Sequence, residues 1–199
     1  MRRAFLAASL LASPALAQPA PQTVPVATLP THDVTVVYQP EGAARDAIPG
    51  GVSGPIRVAW SAERQLLRVE PEGRTQVLLV DLGGLSVKVL DSGLHSAMTL
   101  PVRAKDLDPL LLRDARMTRR GRSTVAGLPC TEYAVEQRRR RGTLCLTDDG
   151  IALRANGEVD GKRGSFTAVS VTAGRLPPSL FEVPTGYMQL ALPNLSGFR

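Results

Sequence analysis

Apolar and polar positions alternate with a period of two along most of this chain. Val34, Val36 and Tyr38 share one parity within residues 33–39. Ile56, Val58 and Trp60 alternate with Arg57 and Ala59, and Leu85, Val87 and Val89 alternate with Ser86 and Lys88. That period places the apolar members on one side of an extended strand, so each segment predicts a half-buried β-strand. Residues 65–70, 75–82, 95–100, 117–125, 151–155 and 165–172 read the same way. Between them stand Pro71-Glu72-Gly73, Gly83-Gly84, Asp91-Ser92-Gly93 and Asp148-Asp149-Gly150, which are turn sequences. Residues 40–55, rich in glycine, alanine and proline, predict a loop, and the polar residues 156–164 carry no strand signal.

The clearest pattern surrounds the two cysteines. Thr131, Tyr133 and Val135 fall on one face of a strand, with Cys130, Glu132, Ala134 and Glu136 on the other. On the next strand Leu144 and Leu146 share a face opposite Thr143, Cys145 and Thr147. An antiparallel pairing with Cys130 opposite Cys145 gathers the apolar residues on one side and both sulfurs on the more polar one. Arginine is poorly suited to the positive φ of a two-residue turn, so a wider loop is expected near residues 137–140.

Helical signals are few. Asp108-Pro109 before Leu110, Leu111 and Leu112 has an N-cap residue and a proline at the first helical position, predicting a helix that ends by Arg116. It either plugs an open end of a curved sheet or lies on one sheet face. Residues 176–181 suggest a short helical turn. In all, about ten or eleven short strands at spacings of about 8–12 residues predict a mainly β fold, with one or two short helices. The architecture is an antiparallel unclosed β-barrel or strongly curved sheet.

The start of the chain sets the compartment. Arg2 and Arg3, the short apolar run of residues 4–11 and Ala15-Leu16-Ala17 have the three parts of a secretory signal, cleaved after Ala17. The run is too short to span a membrane. Residues 18–30, with Pro19, Pro21, Pro25 and Pro30, read as a flexible lead-in, and residues 31–199 as a single domain. Export to the periplasm, or secretion, is the expectation. Two cysteines in an exported chain predict one disulfide, closing a loop of about 15 residues worth about 3 kcal/mol. The net charge of +6 falls when Arg2 and Arg3 leave, and no nucleic-acid-binding motif accompanies it.

Candidate chemistry is sparse. His32 and His95 are the only histidines, and neither belongs to a G-x-S-x-G, H-E-x-x-H or P-loop motif. No enzyme, metal site or cofactor is expected. Arg138, Arg139, Arg140 and Arg141 have two readings. As a solvated hairpin tip they oppose edge aggregation. As a contact for anionic headgroups or an acidic partner they would be extended by Arg116, Arg119, Arg120 and Arg122.

Several stretches together resemble a family. They are Asp-Val-Thr-Val-Val-Tyr from 33, Leu-Leu-Arg-Val-Glu from 66, Leu-Val-Asp from 79, Val-Ala-Gly-Leu-Pro-Cys-Thr-Glu-Tyr from 125, Leu-Thr-Asp-Asp-Gly-Ile-Ala-Leu-Arg from 146 and Leu-Pro-Pro-Ser-Leu-Phe-Glu-Val-Pro-Thr-Gly-Tyr from 176. The chain resembles exported bacterial domains of unknown function similar to the lipoprotein-carrier (LolA/LolB-like) superfamily. The resemblance implies an unclosed barrel with helices over its mouth and a hydrophobic cavity.

The expected function is therefore a monomeric, non-enzymatic binding or carrier domain for a lipid, a lipoprotein acyl chain or an apolar peptide. Peripheral membrane contact fits this reading. The candidate lining is Val34, Val36, Tyr38, Val58, Trp60, Val87, Val89, Tyr133, Val135, Leu144 and Leu146. An envelope interaction or stress-sensing module is the alternative, and a hydrolase a remote one.

Overall fold

The computed structural model describes residues 27–46, 50–107, 111–112, 114–138, 140–159 and 161–190. The expected signal sequence, residues 18–26 of the expected lead-in, Asp108, Pro109, Leu110 and Arg139 lie outside them. Twelve strands form one unclosed sheet: β1 (Val34–Gly42), β2 (Ile56–Ser61), β3 (Leu66–Pro71), β4 (Gln76–Asp81), β5 (Ser86–Asp91), β6 (Ser96–Pro101), β7 (Arg116–Val125), β8 (Leu128–Gln137), β9 (Arg140–Leu146), β10 (Ala152–Val159), β11 (Lys162–Ala173) and β12 (Met188–Leu190). Their order is β12-β6-β5-β4-β3-β2-β1-β11-β10-β9-β8-β7. Neighbours are antiparallel except β12, which runs parallel to β6. Among the described residues there is no helix of seven or more residues; the helical pieces are short 3-10 turns such as Ala43–Asp46 and Pro178–Phe181, and Leu111, whose amide donates to the Leu107 carbonyl at 2.9 Å. The mainly β, unclosed architecture is as the alternation predicted.

The hairpins of β2–β6 follow local chemistry. Ser61 pairs with Leu66, Asp81 with Ser86 and Asp91 with Ser96, so each turn has four residues. The last of each four, Gln65, Leu85 or His95, has a positive φ of 52°, 49° or 46°. Asp81 accepts the Gly84 amide at 2.7 Å, and Asp91 accepts those of Gly93 and Leu94 at 2.9 and 3.1 Å. These side-chain acceptors stabilise the turns that set the register.

Cross-strand pairing turns the alternation into rows. Val34, Trp60, Leu67, Val80, Val87 and Leu100 form one row on the inner face, and Val36, Val58, Val69, Leu78, Val89 and Met98 form the next. The main core collects Val34, Val36, Trp60 and Val80 together with Val125, Cys130, Cys145 and Leu153 from the far strands. Register shifts at Val37/Tyr38, Arg119/Gly121 and Ala152/Arg154 are bulges, which increase local twist and bend the strands. β7 thereby reaches back to contact β11, four places away in the sheet.

On the outer face Val77, Leu79, Leu90 and Ala97 form a second cluster, packed under Val183 and Tyr187. The segment after β11 crosses this face. Arg64 and Arg68 donate to the carbonyls of Pro178 and Leu180 at 3.2 and 3.1 Å, and Phe181 is buried. The Leu-Phe-x-x-Pro-x-Gly-Tyr run therefore serves as a belt over β3–β6.

Several expectations are corrected. Cys145 lies opposite Glu132, and Thr131 opposite Leu146, so the two cysteines meet diagonally with Cα atoms 5.4 Å apart. Side chains on diagonal neighbours of one face are within bridging reach. The disulfide is present, but it does not sit apart from the apolar residues: Cys130 and Cys145 are 4% and 2% exposed inside the main core. Gln137 pairs with Arg140, so only two residues turn the hairpin, and Arg138 takes the positive φ, 55°, to which arginine is poorly suited. β1 runs through Pro40 to Gly42 into what read as loop, and β10 and β11 extend through residues 156–159 and 162–164. Strand pairing outweighs weak local propensity at these positions. β12, also unforeseen, is recruited by the register of β6.

Candidate binding site

A pocket of about 610 Å³ opens on the inner face where the long strands run out beyond the main core. Leu144 of β9, Ala155 of β10 and Phe166 of β11 line it as successive cross-strand neighbours, because Leu144 pairs with Ala155 and Ala155 with Phe166; Val135 of β8, opposite Gly142, lies diagonal to Leu144 on the same face. Leu112 and the turn residues Ala43 and Ala44 close over them, and the lining is mostly apolar. The volume is that of a small-molecule or acyl-chain site.

Gly142, Gly157 and Gly164 of its lining belong to a row of glycines. Gly142, Gly157, Gly164 and Gly42 lie side by side across β9, β10, β11 and β1. Four adjacent strands thus present backbone where side chains would otherwise stand. At Gly42, Gly142 and Gly164 glycine is required by close approach, since a Cβ there would overlap the backbone of Arg163, Asn156 and Ala44 respectively. Gly157 differs: a Cβ would meet only the Arg141 carbonyl, at 3.8 Å, an ordinary contact. Strand propensity alone does not demand glycine there.

The rim is charged. Arg140, Arg141 and Lys162 line the mouth with Asp46 and Glu158, all exposed. Arg163 engages Glu158 at 2.9 Å on the neighbouring hairpin. Arg138 is exposed at the tip, and Arg139 lies outside the described residues.

The candidate lining residues divide. Val135 and Leu144 line the pocket. Tyr133 is opposite Leu144 on the same face. Val58 and Val89 belong to the second inner row and are partly exposed. Val34, Val36 and Trp60 are main core, with Tyr38 and Val87 packed against it, and Leu146 is buried. Tyr38 donates its hydroxyl to the Ala152 carbonyl at 2.7 Å, and burial pushes its pKa well above the ordinary phenol value. It ties β1 to β10 beside the bulge. Leu112 comes from the segment expected either to plug an open end of the sheet or to lie on one face, whereas Ala43, Ala44, Ala155, Phe166 and the glycines are not among the expected lining. Ala155 and Phe166 were within predicted strands. The glycines read as loop punctuation because the sequence does not reveal that they meet.

The remaining polar groups belong to the frame. Trp60 donates its indole N–H to the Pro30 carbonyl at 2.8 Å, and Leu29 packs on the core, docking residues 27–30 at one end of the sheet. His32 lies 3.6 Å from Asp149, and the His95 ring meets Tyr187 edge-on at 5.8 Å. Asp33 accepts the amides of Leu176 and Ala62 at 3.0 and 2.9 Å, which hold its carboxyl below the usual range, Leu176 contributing most. Arg154 bridges Glu132 at 2.6 Å.

No protein-family model matches the chain, and no curated protein matches it. Among solved structures it is similar to an uncharacterized conserved protein from Thermus thermophilus, with 14% identity, a TM-score of 0.54, and coverage of 81% of this chain and 91% of that one. It also resembles MucB, at 17% identity and a TM-score of 0.46, covering 79% of this chain and 59% of MucB. The MucB of the Pseudomonas aeruginosa MucA/MucB complex gives 18% identity, a TM-score of 0.43, and coverage of 76% and 56%. This chain spans less than two thirds of either MucB chain. At these identities the likeness is one of fold.

Proposed function

We propose that this chain is a non-catalytic binding protein of the cell envelope that accepts an apolar chain in the glycine-floored pocket. The carrying observation is the pocket itself: about 610 Å³, mostly apolar, and open to solvent. The candidate ligands are a lipid, a lipoprotein acyl chain or an apolar peptide. Burial of a chain against Leu112, Val135, Leu144 and Phe166 supplies the driving force, at about 0.8 kcal/mol per methylene. The buried disulfide suits an oxidising compartment, in keeping with the export sequence.

Gly157→Val tests this reading because it adds bulk to the pocket at a position where a Cβ is tolerated. Titration with a dansyl-labelled fatty acid should show saturable binding to the wild type and about a tenfold loss in the variant, with an unchanged melting temperature. Equal binding by both proteins, or no binding by the wild type together with no lipid retained in native mass spectrometry of periplasmic material, would overturn it.

A further inference from the structure

The pocket uses none of the arginines of β7. β7 is one end of the sheet and, among the described residues, pairs only with β8. It is ten residues long, so its outer side offers a row of backbone donors and acceptors to an incoming strand. Arg116, Arg119, Arg120 and Arg122 along it are all exposed, and it contains no acidic residue. Arg119 and Arg122 are opposite Tyr133 and Thr131, on one face, while Arg116 is opposite Glu136 on the other.

Residues 116–141 carry eight arginines against Glu132 and Glu136, an excess equal to the +6 of the entire chain. Over the full sequence the remaining charges balance, and without Arg2 and Arg3 they are net acidic. Charge placed merely to discourage edge pairing would be expected at both ends of the sheet. The other end is different: β12 is Met188-Gln189-Leu190, uncharged, with Met188 and Leu190 62% and 44% exposed.

We infer that β7 is a docking edge for an extended acidic segment of a partner protein, which adds to the sheet as a further strand. Backbone hydrogen bonds hold such a strand, and its carboxylates on the Tyr133 side meet Arg119 and Arg122. An anionic lipid surface would satisfy the arginines but not the backbone row, which is why a polypeptide is the better fit. The inference is independent of the pocket.

The test uses the full chain and a ten-residue fluorescent peptide alternating glutamate with valine. Fluorescence anisotropy should show binding that weakens with salt, and hydrogen exchange should slow at residues 117–123. Arg119→Glu/Arg122→Glu should cost at least about tenfold in affinity, while melting as the wild type does. Methylating alternate backbone nitrogens on the peptide's sheet-facing side should cost as much again, a loss that simple charge attraction would not produce. Undiminished binding by the methylated peptide or by the double variant would overturn the inference. So would binding to phosphatidylglycerol vesicles with none to the peptide.

Discussion

The two halves of the sheet solve the same problem differently. β2–β6 are uniform six-residue strands with four-residue turns. Trp60 and Val80 of the inner row belong to the main core, with Leu67 and Val87 packed against it, and the outer face is covered by the belt that carries Phe181, Val183 and Tyr187. β7–β11 are longer, bulged and arginine-rich, and a disulfide ties β8 to β9. This half holds the glycine row and the pocket. Two-sided burial gives the first half little room for a ligand. The second half is held by a covalent link and a bent edge, which leaves backbone open. Rigidity and access are thus divided between two parts of one sheet.

The largest test of this division is at the belt. Phe181→Ala removes a buried aromatic and should cost about 3–5 kcal/mol in denaturant unfolding. Native-state hydrogen exchange should quicken in β3–β6 before β8–β10. Equal acceleration in both halves would show that the belt stabilises the whole sheet and that the halves are not distinct.

Replacing Cys130 and Cys145 with alanine should cost about 3 kcal/mol for a 15-residue separation. The faster exchange should now concentrate in β8–β9, the reverse of the Phe181 result. Unreduced protein should carry no alkylatable thiol, which mass spectrometry checks directly.

The smallest effect falls between the halves, at Asp33. Its side chain joins the start of β1 to Ala62 and to the beginning of the belt at Leu176. Asp33→Asn should cost about 1 kcal/mol at neutral pH. Because folding lowers this carboxyl's pKa, its contribution is present above the unfolded value near 3.9 and is lost as pH falls through the lower folded value. The stability gap between wild type and variant should therefore close below about pH 4. A gap that stayed constant to pH 2 would mean that the charge is irrelevant to the staple.

Much of the strand map was legible because alternation is a local signal. Val34/Val36, Val58/Trp60 and Val87/Val89 each name their own inward face without knowledge of a neighbour. The disulfide was legible for a different reason: two cysteines leave only one possible pairing. Its register was not, because opposite and diagonal placements both bring side chains within reach. The pocket was least legible. Gly42, Gly142, Gly157 and Gly164 are scattered through the sequence, and only separate strand pairings align them. Val34, Val36 and Trp60 look like lining by the same alternation as Val135 and Leu144. Which of them faces a cavity depends on how far the strands extend past the core.

The sequence by itself determined most of the strands, the turns of β2–β6 and the concentration of positive charge between residues 116 and 141. These follow from period, turn chemistry and composition, all short-range properties. Tertiary structure alone decided which glycines would meet, which apolar face the residue 176–187 belt would cover and which strand would remain an open edge. Those outcomes depend on register and curl, where a shift of one or two residues in pairing changes every lateral neighbour.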